Sequence, residues 1–182
     1  ASAQSGTLDK SFSNNGKAFY DEFNGECVAI ALQQDGKIIT GGFHDATNAE
    51  KTGSVIARFN TDGSIDESFG DKGKLIVTDA EGRDPHGVSD IFVLPDGKIV
   101  CGIYANGVYG EIGLIRLNSN GTLDNSFSEN GIAIISLGQG VTIGGMVLQP
   151  DGKLIIGGKV EEGAAFLLRY KLDGAILDDS FG

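Results

Sequence analysis

"DGSIDESF" (62–69) has three near-copies in the chain: "SGTLDKSF" (5–12), "NGTLDNSF" (120–127) and "DGAILDDSF" (173–181). Their final aromatic residues are Phe12, Phe69, Phe127 and Phe181, in steps of 57, 58 and 54 residues. A motif that returns at a nearly constant interval is typical of a protein built from structural repeats. The octapeptide therefore sets the repeat length.

Two further motifs recur between the octapeptides, always in the same order. The first is "QQDGKIITGG" (33–42), with copies "LPDGKIVCGI" (94–103) and "QPDGKLIIGG" (149–158). The second is "VIARFN" (55–60), with copies "GLIRLN" (113–118) and "FLLRYK" (166–171). Residues 6–182 thus read as a single domain of three repeats, at about 13–69, 70–127 and 128–181, after an N-terminal remnant at 1–5.

Each repeat contains four short apolar segments bounded by turn residues, which predict four β-strands. In chain order these are an opening segment (74–77, 132–135), a second (27–33, 88–94, 141–149), a third (37–41, 98–102, 153–157) and the segment that carries the repeated arginine. The Asp-Gly pair between the second and third segments favours a tight hairpin with glycine in the left-handed region.

Four antiparallel strands per repeat are the pattern of a β-propeller blade. Three blades are fewer than the roughly four to eight of a closed propeller, so we expect an all-β partial propeller, or an arc completed by oligomerisation. A β-trefoil-like closure is the alternative, because it also uses three four-stranded repeats.

The repeated arginine precedes the aspartate of the octapeptide by a nearly constant distance. The spacing is eight residues for Arg58 and Asp66 and for Arg116 and Asp124, and nine for Arg169 and Asp178. This predicts a hydrogen-bonded Arg–Asp pair wherever the chain crosses from one sheet to the next.

The first octapeptide differs from the others, because its Asp9 has no such arginine before it in the chain. In every copy the aspartate and serine are expected to bond nearby backbone amides. The leucine and phenylalanine are expected to anchor the connecting segment on apolar surface.

The motifs Gly-x-Leu-Asp-x-Ser-Phe-Gly and Gln-Pro-Asp-Gly-Lys-Ile-x-x-Gly-Gly resemble the delta-60 repeat, a β-propeller repeat of bacterial secreted and surface proteins. The resemblance runs from Gly6 to Gly182. It departs at Ser13 and Ser128, where the repeat usually has the glycine seen at Gly70, and at Ile103, which replaces the second glycine of a pair. The resemblance implies a scaffold with no fixed catalytic residues.

Composition narrows the classes of partner. The formal net charge is −11 and Lys and Arg are scattered singly, which argues against nucleic acid. No apolar run reaches 18 residues, so no membrane insertion is expected. The small residues of "ASA" before Gln4 resemble the end of a signal peptide, and a cloning remnant is the alternative reading of these residues. The signal-peptide reading predicts an extracellular or cell-surface protein, with the periplasm as an alternative.

No motif indicates catalysis, and the protein is predicted not to be an enzyme. His44 and His86 fall in non-equivalent loops and are interpreted as solvated. The string "NTDGSID" (60–66) resembles part of a calcium loop, but Arg58 stands where a ligand is needed, so turn capping is preferred and no cofactor is predicted. Cys27 and Cys101 are interpreted as small buried thiols, because the other repeats mostly place apolar residues there.

The candidate ligand contacts are four residues assigned to loops and one acidic residue in a strand: Phe43, His44, Tyr104, Tyr109 and Asp90. The aromatic residues could stack on sugar rings. The sequence favours a structural or adhesive module whose partner is protein, including another copy of itself. A glycan-binding propeller is the alternative, and a propeller enzyme is the remote one.

Overall fold

The computed structural model describes residues 6–20, 25–44, 53–78, 85–105, 111–137, 140–160 and 163–182. For residues 85, 86, 104 and 105 it describes the backbone and not the side chains. The proposed remnant at 1–5 lies outside the described residues.

Within these ranges the protein is all-β, and its twelve strands form three separate four-stranded antiparallel sheets. The first sheet contains β1 (Gly25–Leu32), β2 (Ile38–His44), β3 (Gly53–Phe59) and β4 (Lys74–Val77). The second contains β5 (Pro85–Val93), β6 (Ile99–Ala105), β7 (Glu111–Leu117) and β8 (Ile132–Ser136). The third contains β9 (Val141–Leu148), β10 (Lys153–Val160), β11 (Ala165–Lys171) and β12 (Ile176–Leu177). Among the described residues each repeat keeps its four strands in an open sheet of its own, as propeller blades do, so the trefoil-like closure is wrong.

The Asp-Gly hairpins form as predicted. Gly36, Gly97 and Gly152 have φ values of +83°, +84° and +81°, and each closes the turn between the first two strands of its sheet. In the first sheet Gln33 N donates to Lys37 O at 2.9 Å, and Gly36 N donates to Gln33 O at 2.9 Å. Glycine is suited to this position because its left-handed conformation carries no Cβ penalty.

The predicted order of strands within a repeat needs one correction. The segments at 74–77 and 132–135 do not open the second and third blades. Instead β4 pairs with β3, and β8 pairs with β7, so each forms the outer strand of the preceding sheet. The repeat boundaries at 69/70 and 127/128 therefore fall inside a blade, because the octapeptide connects the third strand of a sheet to its fourth.

The third sheet ends differently from the other two. Its fourth strand is the two-residue β12, in which Leu177 pairs with Tyr170. The equivalent residues of the other sheets, Ile65 and Leu123, form only isolated bridges, and the longer outer strand follows them.

Neighbouring sheets pack face to face through two apolar cores. One core joins the first and second sheets and contains Ile39, Ile56, Val88, Ile99 and Ile115, all fully buried. The other joins the second and third sheets, around residues such as Val100, Leu114, Leu154 and Ile156. Burying each such side chain stabilises the fold by about 1.5–3 kcal/mol relative to exposure, so the stacking of blades is the main source of stability.

The departures from the repeat pattern are accommodated locally. Ser13 and Ser128 have φ values of +44° and +46°, so they keep the left-handed backbone of Gly70 (+57°). Ile103 faces Gly113 across the β6–β7 ladder. The equivalent pairs are Gly42 with Val55 and Gly158 with Phe166, so each sheet places one glycine opposite one larger residue.

Candidate functional site

Three equivalent charged clusters lie beside the octapeptides. In the first sheet Asp66 Oδ2 accepts hydrogen bonds from Arg58 Nε at 2.7 Å and from Lys37 Nζ at 2.8 Å. Its Oδ1 accepts from Ser68 Oγ at 2.6 Å and from Ser68 N at 3.1 Å. The carboxylate thus has four donors, which satisfies a group that would be costly to bury alone.

The second and third clusters repeat this arrangement. Asp124 accepts from Arg116 Nε at 2.7 Å and from Lys98 Nζ at 2.8 Å. Asp178 accepts from Arg169 Nε at 2.7 Å, and Lys171 Nζ lies 3.1 Å from it. The predicted Arg–Asp pairs are therefore present in all three sheets.

Sequence reasoning missed the lysine in these clusters. Lys37 and Lys98 bond the aspartates, and Lys153 Nζ lies 3.5 Å from Asp178 Oδ2. The signal was available, because each of the three follows the Asp-Gly of a hairpin turn. Its partner lies 25–29 residues further along the chain, which only the paired strands bring close.

These contacts lower the pKa values of the three aspartates. Burial alone would raise the pKa of Asp66, but hydrogen bonds from Lys37 and Ser68, with the charge of Arg58, hold it well below its ordinary value. The pKa of Asp124 is lowered in the same way against the effect of burial. The pKa of Asp178 is lowered chiefly by the Ser180 hydroxyl. All three carboxylates are anionic at neutral pH and engaged by donors.

The arginines also join one sheet to the next. Arg58 Nη1 donates to Ser119 O of the second sheet at 2.6 Å, and Arg116 Nη1 donates to Leu172 O of the third at 2.7 Å. The guanidinium carbons lie 4.7 Å above the Phe69 ring and 4.5 Å above the Phe127 ring. A cation over an aromatic face is favourable, so each phenylalanine supports the arginine that crosses the junction.

The first of these phenylalanines also packs on a turn of the next sheet. A Cβ added to Gly121 would lie 2.8 Å from the Phe69 ring, so only glycine lets the ring approach this closely. Gly70 N, which follows the ring, donates to Asn120 O at 2.8 Å. We call the arginine and the phenylalanine the latch of the blade junction, and at this first junction the Gly70 amide adds a further hydrogen bond.

The N-terminal octapeptide occupies the same place on the first sheet. A Cβ on Gly63 would lie 2.8 Å from the Phe12 ring, and Ser13 N donates to Asp62 O at 2.6 Å. In the described part of the chain the Asp9 carboxylate accepts only from Ser11 N and Ser11 Oγ, and those hydrogen bonds lower its pKa. This segment therefore reproduces the latch without its arginine.

The latch of the third sheet is more exposed than the two interior ones. Phe181 is 37% exposed, whereas Phe69 is fully buried and Phe127 is 1% exposed. The side chain of Arg169 is 20% exposed against 9% for Arg116. Arg169 still lies over the Phe181 ring at 4.7 Å, so its geometry is retained although the described residues place no further sheet over it.

The outer faces of the first and third sheets are apolar and exposed. On the first sheet, three apolar residues of β1 are exposed: Val28 (57%), Ile30 (69%) and Leu32 (70%). On the third, Val147 is 55% and Leu167 is 65% exposed. Clustered apolar residues of this kind mark interaction surfaces more often than isolated ones do.

The exposure of the outer face of the first sheet also explains why the two cysteines differ in burial. Cys101 is buried, as expected, and its pKa is raised to about 12 by burial. Cys27 is exposed, so the prediction that it is buried is wrong. Its equivalents Val88 and Ile143 are covered by a preceding sheet, whereas the described residues place no sheet against Cys27.

A cavity of ≈ 400 Å³ lies between this outer face and the N-terminal segment. Its walls include Phe19, Tyr20, Cys27, Ile30 and Phe43. Tyr20 packs edge-on against Phe59 with ring centroids 6.4 Å apart, which holds the segment on the sheet. The cavity can accept apolar or aromatic groups.

The predicted ligand-contact residues do not gather into one site. Phe43 and His44 lie in β2 and His44 is buried, so the assignment of these two to a solvated loop is wrong, because the β2–β3 ladder continues to His44. Tyr104 likewise belongs to β6, although its side chain lies outside the described residues, as does all of Tyr109. Asp90 is half-buried in β5, and burial raises its pKa.

In the string "NTDGSID" (60–66), which resembles part of a calcium loop, polar side chains form hydrogen bonds within their own turn. Asp62 Oδ1 accepts from Ser64 N at 2.9 Å and from Ser64 Oγ at 2.6 Å, and Asn60 Nδ2 donates to Ile65 O at 3.2 Å. Among the described residues, no group of three or more His, Cys, Asp and Glu side chains is placed to hold a metal ion. The same part of the chain contains no helix long and apolar enough to cross a membrane.

Comparison with known proteins gives one family. Residues 33–69, 94–127 and 149–181, together more than half of the chain, match the family described as a domain of unknown function (DUF5122) beta-propeller. No curated protein matches the chain.

Among solved structures, the chain resembles a catalytically inactive virginiamycin B lyase from Staphylococcus aureus, solved with quinupristin. The identity is 15% and the TM-score is 0.41. The alignment covers 82% of this chain and 42% of the lyase, so the chain spans less than half the length of that protein.

Proposed function

The chain belongs to the DUF5122 β-propeller family, and from this premise we propose that it is a non-catalytic scaffold module that binds protein through the outer faces of its blade stack. The observation that carries the proposal is the exposure of Ile30 and Leu167 at opposite ends of the stack. The second sheet, which packs against a neighbour on each side, buries the corresponding residues of its two faces, Ile91 and Leu114.

The charged clusters support a structural role. A catalytic carboxylate needs a free oxygen and a pKa suited to proton transfer. Asp66 and Asp124 instead have lowered pKa values and donors on both oxygens. Their arginines bridge to the next sheet, so these groups hold blades together.

The proposed location rests on the repeat motifs. The octapeptide and hairpin motifs resemble the delta-60 repeat, a β-propeller repeat of bacterial secreted and surface proteins. We infer an exported protein at the cell surface, with the periplasm as the alternative. The net charge of −11 suits a soluble acidic surface and opposes binding to anionic lipid.

A glycan-binding role is the second candidate. It is favoured by the cavity at the first sheet, where Phe43 lies in a wall with Phe19 and Tyr20. Aromatic side chains at a concave surface suit the apolar faces of sugar rings. Binding to a glycan array that is lost in Phe19→Ala and Tyr20→Ala variants would favour this function over protein binding.

The proposal is tested by site-specific photo-crosslinking in intact cells that produce the protein. A photoreactive residue at position 167 is expected to crosslink to protein. The same residue at position 134, a partly exposed isoleucine of an interior sheet, serves as the matched control. Equal crosslinking at both positions, or none at 167, would contradict a protein-binding end face.

A further inference from the structure

We propose that the outer face of the third sheet of one copy docks on the outer face of the first sheet of a second copy, and so repeats the interior blade junction between two chains. This inference rests on the proposed function and names its partner. The two interior junctions of the chain show what covers such a face, namely a sheet formed by a neighbouring copy of the repeat.

At each interior junction an apolar side chain of one sheet, which we call the knob, fills the space beside a glycine of the preceding sheet, which we call the slot. A Cβ on Gly41 would lie 2.8 Å from Ile91 Cδ1 and 2.8 Å from Val88 Cγ1, both from the second sheet. At Gly102 the space is filled by Met146 of the third sheet. Ile91 and Met146 occupy the same repeat position, five residues before the aspartate of the hairpin turn. The knob is thus set by the repeat.

The two end faces carry one half of this junction each. Ile30 occupies the knob position in the first sheet, and it is 69% exposed where Ile91 is 8% exposed. Gly157 occupies the slot position in the third sheet. Among the described residues, the side chain nearest to its added Cβ is Leu167 of its own sheet, at 3.2 Å. The knob of one copy therefore matches the slot of another.

The latch is also divided between the two end faces, with its arginine and phenylalanine on the third sheet and the accepting turn on the first. Arg169 and Phe181 hold the same mutual geometry as Arg116 and Phe127 but are more exposed. At the interior junctions, the arginine donates to the carbonyl just before the Asn-Gly or Asp-Gly turn of the next sheet. In the first sheet that carbonyl belongs to Thr61. Arg169 of one copy is therefore expected to donate to Thr61 O of the other.

The N-terminal segment at 6–20 is the resident occupant of the first sheet's latch site. It supplies the ring of Phe12 and the amide of Ser13, but no arginine. An incoming copy supplies the ring, the amide and the charge-assisted hydrogen bond, so it binds the turn with one more strong interaction. The segment yields its place when the second copy docks.

Docking of this kind is head to tail, because the knob face and the slot face are different surfaces. Such heterologous contacts form a ring if the rotation closes and an open filament if it does not. Two three-bladed copies that close would make a six-bladed ring, within the range of about four to eight blades seen in propellers.

The experiment measures self-association of the purified chain by sedimentation velocity over a wide concentration range. The unmodified chain is expected to associate. Ile30→Lys removes the knob and Leu167→Lys blocks the slot face, and each alone is expected to weaken association by about 10- to 100-fold, the effect of losing one buried aliphatic side chain. Ile134→Lys, a matched substitution away from both end faces, is expected to leave association unchanged.

Mixing the two variants tests the head-to-tail register. Each variant retains the half that the other has lost, so an equimolar mixture is expected to form a two-chain complex that neither forms alone. Phe12→Ala, which weakens the resident segment, is expected to strengthen association of the chain. Failure of the mixture to associate, or wild-type association in both single variants, would overturn the proposed register.

The unmodified chain provides a readout that needs no substitution. Cys27 lies on the knob face and Cys101 is buried, so the rate of alkylation of Cys27 should fall as the protein concentration rises. A chain that stays monomeric, with constant alkylation, overturns the inference. Crosslinking of position 167 to another protein in cells would still support the proposed function in that case.

Discussion

Arg116 donates from Nε to Asp124 Oδ2 at 2.7 Å inside the second sheet, while its Nη1 reaches Leu172 O of the third sheet. One side chain thus ties the connector of its own blade to the body of the next. The carboxylate fixes the guanidinium, and the guanidinium in turn satisfies a backbone carbonyl at the junction.

Arg116→Leu is expected to lower the free energy of unfolding by about 3–5 kcal/mol, because it removes the Nε donor of a buried carboxylate and the hydrogen bond to Leu172 O. The melting temperature should fall by roughly 6–20 °C for a chain of this size. Arg169→Leu is the matched control and should have a smaller effect, since that side chain is more exposed. An unchanged melting temperature for Arg116→Leu would show that the pair does not stabilise the junction.

Stability is expected to fall in acid. The pKa values of Asp66 and Asp124 lie below the value of about 3.9 found in unfolded chains, so the unfolded state binds protons first as the pH falls. The stabilisation is complete above the unfolded pKa and is lost as the pH falls through the folded pKa. Urea denaturation between pH 7 and pH 3 measures this, and Asp124→Asn should flatten the slope at the acid end.

Gly113→Val is expected to destabilise the second sheet by about 1–3 kcal/mol through overpacking. A Cβ at this position would lie 2.3 Å from Ile103 Cγ1. The double variant Ile103→Gly with Gly113→Val restores the pairing of Gly42 with Val55, and it should recover most of the loss. Additive losses, measured by chemical denaturation of both single variants and the double variant, would contradict this compensation.

Ser128→Gly is expected to stabilise the protein by about 0.5–1 kcal/mol, since a left-handed conformation is unfavourable for a residue with a Cβ and open to glycine. The reverse change, Gly70→Ser, should destabilise, because its added Cβ would lie 2.2 Å from Lys74 O. Thermal melts of the two variants should therefore move in opposite directions from the wild-type chain.

Alkylation at pH 9 and low protein concentration is expected to modify Cys27 and spare Cys101. Burial raises the pKa of Cys101 to about 12, so its thiol stays protonated and inaccessible. Mass spectrometry of the digested protein identifies the labelled residue. Labelling of Cys101 at the same rate as Cys27 in the folded protein would mean that the blade interior is open to the reagent.

Local features of the chain could be predicted because they depend on neighbours in sequence. The hairpin turns at Gly36, Gly97 and Gly152 follow from residue types that tolerate the left-handed region. The Arg–Asp pairs follow from a nearly constant short spacing across one turn, as for Arg58 and Asp66. The assignment of candidate ligand residues to loops was less accurate, because Phe43 and His44 lie in a strand that extends further than its apolar pattern indicated.

The sequence by itself determined the number of repeats, the strands of each repeat and the turns between them, since periodic apolar residues and Asp-Gly turns act over a few positions. Only the tertiary structure decided that Lys74–Val77 completes the preceding sheet, because that depends on which edge is free to pair. It also decided that Ile30 is exposed and Ile91 buried. These two residues hold the same place in the repeat, and within the part of the chain that the structure describes only the second lies against a preceding sheet.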